Sequence, residues 1–253
     1  MQQNHPALKI QALRKIFGSK TAVNDINLSI PAGSFYGLVG PNGAGKTTTL
    51  SMATGLLTPD AGQAFIFGND VWREHTAAME QLGLLPDGVA MPEHLTGPEM
   101  LMYWSTLRGM DRETVAARSE ELLSILGLQA EQKTLIIEYS TGMRKKIGLA
   151  TALLHNPKLL VLDEPLEAVD PVSAISIKHM LKQYVKRGGT VVFSSHVMAT
   201  VEEVCDSVAI VNKGEVVAAG SIDEVRDGMS LEARFIALVG QDKPTLEMSW
   251  LAS

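Results

Sequence analysis

A glycine-rich stretch, Gly40-Pro41-Asn42-Gly43-Ala44-Gly45-Lys46-Thr47-Thr48, follows the apolar run Phe35-Tyr36-Gly37-Leu38-Val39 and leaves little freedom in how the chain around it folds. The pattern G-x-x-x-x-G-K-[ST], placed between a buried strand and a helix, cradles phosphates. Its glycines let backbone N–H groups wrap an anion without Cβ clashes, and the helix N-terminus adds partial positive charge. Lys46 is expected to reach the outer phosphates of a nucleoside triphosphate, most naturally ATP, and the Thr47 hydroxyl to ligate Mg²⁺.

Two further apolar runs end in polar side chains. Leu159-Leu160-Val161-Leu162 delivers Asp163 and Glu164, and Thr190-Val191-Val192-Phe193 delivers Ser194, Ser195 and His196. Beside a phosphate loop, Asp163 would hold Mg²⁺ while Glu164 polarises an attacking water. His196 falls at a strand's C-terminal end, where open α/β sheets place their ligands. Strands are also expected at Leu8 to Phe17, Ala22 to Ile30, Ser34 to Val39 and Gln63 to Phe67, with a hairpin at Val208 to Val211 and Glu215 to Ala218. Helices are expected from Lys46 to Gly55, Pro171 to Lys186 and Val197 to Cys205. Between about Thr96 and Leu154 the spacing turns helical, as in Val115, Leu122, Leu123 and Leu126. The predicted fold is therefore α/β: a phosphate-loop core with a mainly parallel sheet, an N-terminal antiparallel β part and an inserted helical subdomain. One domain over 1–240 and a short tail over 241–253 are expected.

Net charge is −6, and the one dense basic group is Arg144, Lys145 and Lys146, which speaks against broad nucleic-acid binding. A single cysteine, Cys205, excludes an internal disulfide, suits a reducing compartment and reads as a small apolar residue on a helix. The N-terminal MQQNHPALKI lacks the pattern of a signal peptide, and no run reaches the roughly 18 to 20 apolar residues that span a bilayer. Any membrane role is expected to be peripheral. Met91, Met100, Met102, Tyr103 and Trp104 read as subdomain core or as an adaptable binding groove.

With a signature-like Tyr139-Ser140-Thr141-Gly142-Met143 and Asp170 in the loop after the acids, the chain over about residues 8–238 resembles the ATP-binding subunit of an ABC transporter. The resemblance implies ATP and Mg²⁺ as cofactors and two subunits, alike or paired, sandwiching two ATP molecules. Each phosphate loop would then face the other subunit's Ser140, Thr141, Gly142 and Met143. Phe17 would stack on adenine, His196 would contact the γ-phosphate, Glu164 would act on water, and Asp170 would lie in the dimer loop. A separate transmembrane permease would be the partner, at the cytoplasmic face of the membrane, receiving a short helix near Met91 to Trp104. The motif style resembles subunits that serve export. The family's signature commonly reads LSGGQ, and Asp87 stands where a glutamine usually touches Mg²⁺ and water; Asp87 is thus a further candidate metal contact. Two other uses of a phosphate loop fit less well. A nucleic-acid or ribosome remodeller would carry long coiled coils or a second cassette, and a small-molecule phosphotransferase gives no reason for the signature.

Overall fold

The computed structural model describes residues 5–88 and 90–240, so the expected tail at 241–253 lies outside the described residues. In chain order the strands are β1 (Leu8–Phe17), β2 (Lys20–Ile30), β3 (Phe35–Val39), β4 (Ala61–Ile66), β5 (Asn69–Asp70), β6 (Leu82–Leu85), β7 (Leu159–Leu162), β8 (Thr190–Ser195), β9 (Ser207–Asn212) and β10 (Glu215–Ser221). The helices are α1 (Lys46–Ala53), α2 (His75–Glu80), α3 (Gly97–Leu107), α4 (Arg112–Ile125), α5 (Thr141–Leu153), α6 (Pro171–Lys186), α7 (Met198–Val204), α8 (Ile222–Arg226) and α9 (Leu231–Val239). An antiparallel sheet has the order β2-β1-β4-β5, and a second sheet the order β10-β9-β3-β8-β7-β6. In the second, β9, β3, β8, β7 and β6 run parallel, while β10 pairs antiparallel with β9.

The parallel strands are buried on both faces, which explains their unbroken apolar sequences. Phe35, Val39, Leu160, Leu162, Val191 and Phe193 pack among helical residues such as Ile147, Ile177 and Val201. Their neighbours Tyr36, Leu38, Leu159, Val161 and Val192 pack instead against Leu8, Leu13, Ile26 and Ile30 of the antiparallel sheet and Leu50 of α1. Phe35 and Phe193 meet edge-on, with centroids 6.1 Å apart, and tie β3 to β8, two of the strands that lead to functional residues.

The segment from Gly97 to Leu153 holds α3, α4 and α5, packed around Met100, Val115, Leu123, Tyr139 and Ile147. Thr96 and Glu99 close a reciprocal capping box at its first helix, with Pro in the first turn. Several elements differ from the sequence reading: β8 runs on through Ser195, β6 adds an edge strand, β5 and α2 precede it, and α8 and α9 follow the hairpin. Cys205 is buried beside α7, and burial pushes its thiol up, so it is an unreactive filler.

Candidate functional site

Parallel strands release their functional residues at one edge of the sheet: β3 leads to Gly40, β6 to Asp87, β7 to Asp163 and Glu164, and β8 to His196. A cavity of about 410 Å³ opens there, lined by Phe17, the loop from Asn42 to Thr48, Asp87, Glu164 and His196.

Gly45 sits at φ 105°, where a Cβ would also lie 2.5 Å from the Ala22 carbonyl, so only glycine serves at this bend. The bend starts α1 at Lys46, whose first-turn N–H groups lack intrahelical acceptors and favour an anion. The Lys46 side chain is buried. Its Nζ donates to the carbonyls of Gly40 at 2.8 Å and Pro41 at 3.4 Å, and lies 3.8 Å from Glu164 Oε1. Gly40 and Pro41 thus aim the ammonium from beneath, while Asn42, Gly43, Ala44, Thr47 and Thr48 line the cavity. Phe17, 51% exposed, offers an open ring at the cavity's rim, with Lys15 Nζ 5.7 Å from its centroid.

Asp163 is buried, and its Oδ1 accepts a short hydrogen bond from Ser194 Oγ. The same Ser194 hydroxyl accepts from the Glu164 N–H at 2.9 Å. One hydroxyl therefore aligns both acids, a role not read from the sequence. Glu164 adopts φ 46°, a conformation that costs a non-glycine residue about 1–2 kcal/mol. Its carboxylate accepts from His196 Nδ1 at 3.0 Å, which fixes the Nδ1–H tautomer of that ring. Among the described residues no three or more His, Cys, Asp or Glu side chains gather as a metal cage. Mg²⁺ needs none, because one or two protein oxygens with substrate phosphates and water suffice; Thr47, which lines the cavity, and Asp163, which is buried and does not, are the residues that would supply them.

Asp87 lines the cavity but spends Oδ1 on Lys145 Nζ, 2.9 Å away. The signature residues lie elsewhere: none of Ser140, Thr141, Gly142 and Met143 lines this cavity. Ser140 and Thr141 are exposed at the start of α5, where Ser140 Oγ accepts from the Met143 N–H at 3.2 Å. Gly142 is buried, and a Cβ there would come within 2.5 Å of the Ala168 carbonyl. Within one chain its visible role is to let α5 approach the loop after the acids. Asp170 ends that loop as the N-cap of α6 and pairs with Lys146 at 3.3 Å. The hydroxyl and N–H of Ser173, then Lys146, hold the Asp170 carboxyl well below the usual range.

A second cavity, of about 370 Å³, lies between the helical subdomain and the core, with Met91, Met100, Trp104, Arg108 and His155 in its walls. Met100 is core, whereas Tyr103 and Trp104 are exposed, so the segment divides between core and open surface. His155 Nε2–H donates to the Leu82 carbonyl at 3.0 Å, while its buried Nδ1 has no partner among the described residues. Burial, then the Arg108 charge, lowers its pKa from 6.5 to about 4. Because the folded value is the lower one, the unfolded chain takes up the proton first, and stability falls as pH drops from 6.5 toward about 4. His155→Gln is expected to remove about 1 kcal/mol of the stability loss between about pH 7 and 5, a value halved for the ring's solvent exposure. Denaturant titrations at both pH values check this; equal pH slopes in wild type and variant would count against it.

Comparison with known proteins agrees with this geometry. The model of the ABC transporter family matches residues 23–167. The linearmycin resistance ATP-binding protein LnrL of Bacillus subtilis is 37% identical over 214 residues, covering 85% of this chain and 69% of that protein. The daunorubicin/doxorubicin resistance ATP-binding protein DrrA of Streptomyces peucetius is 33% identical, covering 88% of this chain and 68% of its own length. A solved ATP-binding subunit of an ABC transporter superposes with a TM-score of 0.85 at 27% identity, over 92% of this chain and 99% of that one. With a phosphate loop, paired acids and a histidine gathered on this fold, the chain belongs to the ABC transporter family as an ATP-binding subunit.

Proposed function

We propose that this chain hydrolyses Mg²⁺-ATP to drive a transport cycle through a separate membrane-spanning permease, in the direction of export, with two ATP-binding subunits closing over two nucleotides. The observation that carries the catalytic part is the convergence of Lys46, Glu164 and His196 on the phosphate-loop cavity. In this reading the Lys46 ammonium and the α1 N–H groups hold the phosphates, and Phe17 stacks on the base. Thr47 and Asp163 would hold Mg²⁺, which when bound would supply charge neutralisation for the phosphates. Glu164 takes a proton from the attacking water, and His196 keeps that carboxylate oriented while reaching toward the γ-phosphate.

A shared site is supported by Ser140 and Thr141, exposed and outside their own chain's cavity, at a helix N-terminus that favours an incoming phosphate. The Ser140 hydroxyl accepts within its helix, and its proton remains available to donate to that phosphate. Asp170 belongs to the loop such a dimer would bring together. A permease partner is supported by the Met- and Trp-lined cavity, and no described helix is long and apolar enough to cross a membrane. Export, with a place at the cytoplasmic face of the membrane, is supported by relatives named for resistance to linearmycin and daunorubicin/doxorubicin. The test of the shared site mixes two inactive proteins, Ser140→Arg and Lys46→Ala. Mixed dimers hold one intact site, and turnover is expected to rise well above either parent. Mixed dimers that form yet stay as inactive as the parents would overturn the sandwich, given that one site suffices for turnover.

A further inference from the structure

Asp87 presents a problem that the phosphate loop alone does not solve. Its carboxylate lines the same cavity as Lys20, Lys46, Glu164 and Glu167, so a bound triphosphate would meet three protein carboxylates there. Like charges at that range repel strongly where water is partly excluded. Lys145 has the converse problem. Its side chain is only 10% exposed, whereas that of Asp87 is 47% exposed, and a cation withdrawn from water needs a partner. One contact answers both. Lys145 Nζ lies 2.9 Å from Asp87 Oδ1 and also donates to the Asp163 main-chain carbonyl at 3.4 Å.

We propose that Lys145 is a positioning residue for nucleotide binding: its ammonium cancels the charge of Asp87 and draws that carboxylate toward α5, away from the phosphates. The inference rests on reading the cavity as the ATP site. Lys145 does not line the cavity itself but reaches Asp87 on its wall from α5, the helix that Ser140 opens, so the charge balance around the phosphates is set from the inserted subdomain. A Lys145 that only filled space beneath α5 would affect every ligand alike. A Lys145 that neutralises Asp87 affects ligands according to their charge.

The test is equilibrium binding of ATP, ADP and adenosine to the full chain, without Mg²⁺ and at low ionic strength. Lys145→Met leaves Asp87 bare, and its ATP affinity is expected to fall ~10-fold or more, ADP affinity to fall less, and adenosine affinity to stay unchanged. Lys145→Met combined with Asp87→Asn removes both charges and is expected to return ATP affinity to within ~3-fold of wild type. High salt should shrink the defect of the single variant. Equal losses for all three ligands, or no rescue in the double variant, would overturn the proposal. Should Lys145→Met fail to fold, Asp87→Asn alone decides the matter. It leaves an unopposed cation beside the cavity and is expected to tighten ATP several-fold without changing adenosine, and unchanged ATP affinity there would overturn the proposal as well. Lys46→Ala run in parallel separates the two readings. If it loses ATP while the Lys145 and Asp87 variants bind normally, only the pair is wrong; if it binds normally, the site itself is wrong.

Discussion

Replacing Glu164 by glutamine is expected to leave ATP binding intact while slowing hydrolysis by ~10² to 10⁴-fold, the range that a positioned general base contributes. The carboxylate is shielded, 3.0 Å from His196 Nδ1 and 3.8 Å from Lys46 Nζ, and its backbone is held at φ 46° by the Ser194 hydroxyl. Glutamine preserves the shape and can still accept from His196 through its amide oxygen, so the ring and the strand end should not move. What it loses is basicity. It also removes one negative charge from beside the phosphates, so affinity should hold or rise. An ATP-loaded dimer should therefore accumulate, visible by gel filtration with Mg²⁺-ATP. Turnover within a few-fold of wild type would remove Glu164 from the role of base.

Lys46→Ala is expected to abolish productive nucleotide binding. Nζ is aimed by the Gly40 and Pro41 carbonyls and is nearly sealed from solvent, so in the bound state it would meet phosphate oxygens with little water between them. Truncating one partner of a buried, hydrogen-bonded charge pair costs about 2–5 kcal/mol. At about 1.4 kcal/mol per decade that is roughly 30-fold to several-thousand-fold in affinity. In the unliganded chain the variant leaves Glu164 without its nearest cation, so folding should be checked by melting. Near-normal affinity for Mg²⁺-ATP would remove the phosphate loop from nucleotide binding.

Features of the site carried by short contiguous motifs are legible in the sequence alone. Gly40 to Thr48, Asp163 with Glu164, and His196 each end an apolar run, and strand ends on one edge of a parallel sheet must converge. The doubly buried strands were legible for the same reason, since a run such as Leu159 to Leu162 has no polar face to turn outward. β6 was not, because Leu82-Gly83-Leu84-Leu85 is four residues long and interrupted by a glycine. That glycine has a packing cause visible only in three dimensions, as a Cβ would collide with the Ala152 carbonyl of α5. α8 and α9 carry local signals of their own in the Ser221–Glu224 capping box and the Ser230 N-cap.

Residues whose work crosses between distant segments were illegible. Ser194 joins β8 to the acids at the end of β7, and nothing near it in sequence points there. Lys145 stands out in the sequence only as part of the one dense basic group, yet Lys145 pairs with Asp87, Lys146 with Asp170, and Arg144 with Glu93. Gly142 reads as a phosphate-facing residue, and the fold adds a packing reason for it against Ala168. Pairings of this kind are set by tertiary approach rather than by periodicity.

The most direct measurement is a single-turnover experiment that records bound nucleotide and released phosphate together for wild type, Glu164→Gln and Lys46→Ala with Mg²⁺-ATP. Wild type should bind and release phosphate, Glu164→Gln should bind without releasing it on the same timescale, and Lys46→Ala should do neither. Binding and phosphate release by a folded Lys46→Ala protein at the wild-type level would contradict an ATPase site at this phosphate loop.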